Sequence, residues 1–162
     1  MVDLSDGERP AEAALRDAIE TMYFGYRAFT DQADRILGEQ GLGRVHHRIL
    51  YFVGRHPGLS VGALLEILQV SKQAIHAPLG RLTSLGLVAA TADRTDRRVK
   101  ALRLTPAGLA LERRLTGAQM DCLAAAFGVA GASGAEGWTS VMRALAADQG
   151  SGASDDDLDA PA

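Results

Sequence analysis

Residues 60–104 limit the fold more than any other part of the chain, because they place two short helical segments, a tight turn and a charged hairpin in immediate succession. Ser60 is positioned as the N-cap of a helix over residues 61–68, and Ser71 as the N-cap of a second helix running to about residue 84. A serine hydroxyl at such a position takes up a backbone N–H that the first helical turn leaves without a partner. Only Leu68-Gln69-Val70-Ser71 joins the two helices. The second carries an apolar stripe at Ile75, Leu79, Leu82 and Leu85, and Gly86 stands where helices commonly end on a left-handed glycine. Two strands are expected next, over residues 87–90 and 99–104, with the polar loop Asp93-Arg94-Thr95-Asp96-Arg97-Arg98 between them. This order is that of a winged helix-turn-helix.

The flanks read as helices. Leu15, Ile19, Met22, Tyr23, Tyr26, Phe29, Ala33 and Leu37 recur at helical spacing and predict one long amphipathic helix over residues 11–37, ended by Gly38, Gly41 and Gly43. A helix over residues 44–54 follows, with Val45, Ile49 and Val53 on one face, stopped by Pro57 and Gly58. After the hairpin, Thr105 caps and Pro106 opens another helix, which runs to about residue 127. A break over residues 131–137 precedes a last helix over residues 136–147. Residues 1–10 are expected to be flexible and residues 149–162, rich in Gly, Ser, Ala and Asp, disordered. The fold class is thus mainly α with a small β-hairpin wing. Residues 44–105 form the winged helix-turn-helix, and residues 11–38 and 106–148 a helical dimerisation region.

Composition agrees. Hydrophobic residues make up 47% of the chain but aromatics only 5%, so the core is built from Leu, Ala, Val and Ile, which suits helices better than a β-sandwich. No apolar run reaches the length of a membrane span. Asp3, Asp6 and Glu8 are not the composition of a signal peptide, and a cytoplasmic location with no membrane partner is expected. Cys122 is the single cysteine, which excludes an intrachain disulfide and a Cys-rich zinc site. There is no phosphate-binding glycine loop, no G-x-S-x-G and no apolar carboxylate pair, so no enzyme, catalytic residue, metal or cofactor is expected.

The net charge of −3 is unevenly spread. Residues 44–105 hold ten basic and three acidic residues, a net of +7, whereas the rest holds seven basic and seventeen acidic, a net of −10. Such a basic centre is an electrostatic footprint for nucleic acid. In the second helix of the motif, Ser71, Lys72, Gln73 and His76 lie near the N-terminal end, which carries the positive helix dipole and enters the major groove. Gln73 is the candidate base reader, since its amide pairs with adenine at two points. Lys72 and Arg81 are candidates for phosphates, which fix position rather than sequence. In the hairpin loop Arg94, Arg97 and Arg98, with Thr95 among them, are candidates for the backbone and minor groove. Asp93 and Asp96 are expected to pair with those arginines and hold the loop's shape. Pro78, the seventh residue of the recognition helix, removes a hydrogen bond to Ala74 and is expected to kink it.

The sequence resembles the MarR family. The likeness is carried by residues 59–65, by Ser71-Lys72-Gln73, by Leu85-Gly86-Leu87-Val88, and above all by Asp93-Arg94-Thr95-Asp96-Arg97-Arg98-Val99-Lys100 followed by Leu104-Thr105-Pro106-Ala107-Gly108. It covers residues 12–147 in element order, with its strength between residues 44 and 108. The resemblance implies a homodimer joined through the N-terminal helix and the last two helices. It also implies a regulator, usually a repressor, that binds double-stranded DNA at a palindrome. Release by a small effector is implied too, an aromatic carboxylate in many members, bound between the dimer region and the DNA-binding lobe. The alternative class is a winged-helix protein-interaction module without specific DNA binding, disfavoured by the charge kept at Lys72, Arg94, Arg97 and Arg98.

A candidate effector site is legible beside this. His46, next to His47, is expected to turn inward or toward the first helix, where Tyr23, Tyr26, Arg27 and Thr30 lie. Imidazole, hydroxyl and guanidinium groups around an apolar cleft suit an aromatic carboxylate. The residues equally allow a hydrogen-bonded histidine that only locks two helices. Cys122, beside Asp121, reads as a packed and inert thiol rather than a redox sensor.

Overall fold

The computed structural model describes residues 11–92 and 100–148. Helix α1 (Glu12–Gly38) is followed by α2 (Arg44–Arg55), β1 (Leu59–Ser60), α3 (Val61–Leu68), α4 (Lys72–Ser84), β2 (Val88–Ala92), β3 (Lys100–Leu104) and α5 (Pro106–Asp148). The fold is mainly helical with a small antiparallel sheet of order β1-β3-β2. No helix among the described residues is long and apolar enough to cross a membrane.

Capping chemistry sets most of these boundaries. The Ser60 hydroxyl accepts the Ala63 N–H at 3.1 Å, Ser71 accepts that of Ala74 at 3.2 Å, and Thr105 accepts that of Gly108 at 3.0 Å. At the end of α4, Gly86 adopts φ 68°; its N–H reaches the Thr83 carbonyl at 3.0 Å, and the Leu87 N–H reaches that of Leu82 at 2.9 Å. These two bonds close a left-handed glycine cap and point the chain into β2.

The core centres on α2. Ile49, Leu50 and Val53 are fully buried there, packed with Leu64 of α3, Ile75 and Leu82 of α4, Leu102 of β3, and Leu111 and Leu115 of α5. Each such side chain contributes about 1.5–3 kcal/mol by leaving water. Helix α1 joins this core only through its C-terminal third, where Ala33 and Leu37 are buried; Ile19, Met22, Tyr23 and Phe24 stay exposed.

Three details differ from the sequence expectations. β1 was not foreseen: Leu59 and Ser60 pair with Leu102 and Ala101. Leu85 does not belong to the buried stripe of α4; it is the C-cap and is 38% exposed, because the helix ends there. As expected, α4 runs to Ser84, with Pro78 inside it. The break after residue 130 is a single residue rather than seven. Gly131, at φ 73° and ψ 178°, interrupts α5, and the helix resumes at once. That one residue folds the arm back: the rings of Phe127 and Trp138 meet edge to face at 5.5 Å, where a straight helix would set them about 16 Å apart.

Candidate nucleic-acid interface and effector cleft

Helix α4 is held by one face. Ile75 and Leu82 are sealed beneath it, against α2 and β2. The opposite face carries Lys72, Gln73, His76 and Arg81, all exposed. At about 100° per residue, Gln73 lies at the centre of that face, Lys72 and His76 on one flank and Arg81 on the other. With Ala74 bonded to Ser71, the N–H groups of the first residues of α4 point outward beside Lys72 and Gln73. The end therefore offers a cation, a bidentate amide and free backbone donors together, a combination suited to the polyanionic groove of DNA.

The two strands of the hairpin are in register, from Val88 opposite Leu104 to Ala92 opposite Lys100. Arg94, Thr95, Arg97 and Arg98 lie outside the described residues.

A cleft of about 400 Å³ opens between α1, α2 and α5. Of the residues expected around an effector, Tyr26, Thr30 and His47 line it. Tyr23 and Arg27 do not; the Arg27 guanidinium lies over the Tyr23 ring at 5.8 Å on the exposed flank of α1. His46, expected to turn inward or toward α1, is half-buried but does not line this cleft. Its Nδ1 accepts the Gly43 N–H at 3.0 Å, capping its own helix, and its ring sits near Arg81 of α4. Burial, reinforced by the Arg81 charge, holds the His46 pKa below its ordinary value.

His47 is the cleft histidine. It is 8% exposed, and burial lowers its pKa, with Glu112 and Asp34 acting in the opposite direction. Arg44 and Asp34, which the sequence reading did not select, form the polar wall of the cleft. The Arg44 guanidinium forks onto Asp34, Nε at 3.2 and 3.1 Å from the two carboxylate oxygens and Nη2 at 2.7 Å from Oδ2. Nη2 also donates to Thr30 Oγ1 at 3.1 Å, and the group lies 5.3 Å from the Tyr26 ring centre. The Thr30 hydroxyl in turn donates to the Tyr26 carbonyl at 3.0 Å. Asp34 raises the pKa of Arg44, first by that hydrogen bond.

Cys122 is half-buried in a second, smaller cleft between α1 and α5, near Asp31 and Asp121. Arg35, at the same cleft, is paired with Asp31. Among the described residues, no three His, Cys, Asp or Glu side chains are placed to hold a metal ion.

Comparison with known proteins converges on one family. A model of the MarR family matches residues 40–99. The chain is 42% identical over 131 residues to the HTH-type transcriptional regulator PetP of Rhodobacter capsulatus, covering 81% of this chain and 79% of that one. Its fold is similar to that of the MarR family transcription regulator SP03579 (TM-score 0.71, 23% identity, 87% of this chain and 95% of that chain). It is similar also to Sco3205, a MarR family transcriptional regulator from Streptomyces coelicolor solved in complex with DNA (TM-score 0.70, 20% identity, 94% and 97% covered).

Proposed function

The chain belongs to the MarR family of DNA-binding transcriptional regulators, and from that premise we propose that it acts as a homodimeric repressor of a palindromic site, released by an aromatic carboxylate. The observation that carries this reading is the split of α4 into a sealed face, Ile75 and Leu82, and an open face, Lys72, Gln73 and His76. A helix fixed so firmly by one side presents the other rigidly, as base reading requires.

In this proposal residues 44–105 are the DNA-binding lobe. Gln73 reads a base, Ser71 and His76 flank it, and Lys72 and Arg81 hold phosphates. Arg94, Thr95, Arg97 and Arg98 of the hairpin loop reach the minor groove. Residues 11–38 and 106–148 join two copies. The apolar surface that one chain leaves open on these helices supports this: Ile19, Met22, Tyr23 and Phe24 on α1, and Trp138, Val141 and Leu145 at the end of α5. Two-fold symmetry then sets the half-sites about one helical turn apart, roughly 34 Å. Repression follows where such a site overlaps a promoter.

The cleft walled by Tyr26, Thr30 and His47 is the effector site of this reading. Two proteins of the same fold lend it support. Bordetella bronchiseptica BpsR has its DNA binding regulated by 6-hydroxynicotinic acid (TM-score 0.62), and Mycobacterium tuberculosis Rv2887 is solved with p-aminosalicylic acid (TM-score 0.55).

The test is a mobility shift on DNA immediately upstream of the gene, at two salt concentrations, with aromatic acids added to the bound complex. Sequence-dependent, salt-sensitive binding that an acid reverses supports the whole reading. Failure of specific binding there and in a genome-wide site selection would leave a protein-interaction module instead. Sedimentation of the free protein checks the dimer.

A further inference from the structure

Arg44 is the first residue of α2, yet its guanidinium is spent on α1, on Asp34 and Thr30. Among the described residues this is the one ion pair that ties α1 to α2; the pairs Arg16–Glu12 and Arg35–Asp31 lie within α1, and Arg114–Glu39 reaches α5. The pair is not sealed. The side chains of Arg44 and Asp34 are 48% and 34% exposed, and both line the cleft. A solute carboxylate can therefore reach the guanidinium that Asp34 holds.

His47 faces the same cleft. The residue is 8% exposed and lines the cavity. Its burial keeps the ring neutral near pH 7, so it offers one donor and one acceptor to an occupant. Phe29, Met120 and Leu123 add an apolar wall. The whole suits a planar ring carrying a carboxylate and a second polar group.

An arginine fork accepts one carboxylate face to face, and a second carboxylate close by is repelled. We propose that Asp34 holds the cleft's anion seat, and that an effector carboxylate binds by taking Arg44 from it. Filling the cleft then unfastens α2 from α1, which links occupancy to the attachment of the DNA-binding lobe. This rests on the effector reading above and adds to it the residue that selects for the acid and the residue that holds its place. Arg48, also at the cleft, is the competing cation.

The experiment is calorimetric titration of the full chain with 4-hydroxybenzoate and with 4-hydroxybenzamide, its uncharged counterpart. Removing the internal competitor in Asp34→Asn is expected to tighten the acid about tenfold, and Arg44→Gln to weaken it by at least as much, while Arg48→Gln and the amide change less than about twofold. Asp34→Ser is a second neutral replacement, and far-UV circular dichroism confirms that each variant is folded. Equal affinity for the acid in wild type and both Asp34 variants overturns the competition but keeps the site. Loss at Arg48→Gln instead of Arg44→Gln overturns the seat. Absence of binding by either probe in every variant overturns the effector reading with it.

Discussion

A Cβ on residue 108 would stand 1.9 Å from the carbonyl oxygen of Leu87, so only glycine fits where α5 leaves the sheet. The same carbonyl accepts the Thr105 N–H at 3.0 Å, and the Thr105 hydroxyl donates to the Gly86 carbonyl at 2.6 Å. The first turn of α5 is thereby clamped onto the residue that leads into β2, and the hairpin is anchored to α5. Gly108→Ala must push two backbones apart in a buried joint. It is expected to cost about 3 kcal/mol or more, read as a lower urea midpoint. A variant as stable as wild type would show that the clamp yields freely.

The turn of the helix-turn-helix holds a second backbone constraint. Gln69 caps α3 at φ 53° and ψ 42°, the left-handed region, where a non-glycine residue is strained by roughly 1 kcal/mol. Its side chain is exposed, so glycine loses little contact there. Gln69→Gly is expected to raise stability by about 0.5–1 kcal/mol, against the usual direction for glycine substitutions. A lower melting temperature would mean that the glutamine side chain holds the turn.

These two sites show what sequence can and cannot convey. Ser60, Ser71, Thr105 and Gly86 were legible because a cap acts within four residues of itself, and all four do what their residue types suggest. The exposure of Lys72, Gln73 and His76 followed from the stripe of Ile75 and Leu82. β1 was not legible, since a two-residue strand exists only through its partners Leu102 and Ala101, some forty residues away. The exchange of His46 for His47 has a similar origin. Neighbours on a helix differ by about 100°, and which of the two meets the cleft depends on how α5 packs over α2. Arg44 and Asp34 are separated by a loop, so no periodic pattern joins them.

On the α4 face, the assigned roles make opposite predictions for adjacent residues. Lys72→Ala should weaken binding to every DNA sequence alike and reduce the slope of log affinity against log salt by about 1. Gln73→Ala should instead relax preference at one base pair, by about 1–3 kcal/mol of discrimination, with a smaller change in non-specific affinity. Site selection and salt titration of both variants decide this. An unaltered preference in Gln73→Ala would remove it as a reader.

The buried histidine of the cleft makes stability depend on pH with a definite sign. Burial lowers the His47 pKa in the folded chain below its ordinary 6.5, against the pull of Glu112 and Asp34. The unfolded chain then binds the proton more readily, so stability rises with pH across this window. It is complete above about pH 6.5 and is lost as the pH falls through the lower, folded-state value. His46, shifted in the same direction, adds to the effect. Urea midpoints at pH 7.5 and 5.5 are expected to fall with acidification in wild type and to fall less in His47→Gln, which cannot take up the proton. Carboxylates contribute to acid unfolding in both proteins, so the difference between the two drops isolates the histidine. Equal drops would place the proton elsewhere and leave His47 neutral throughout.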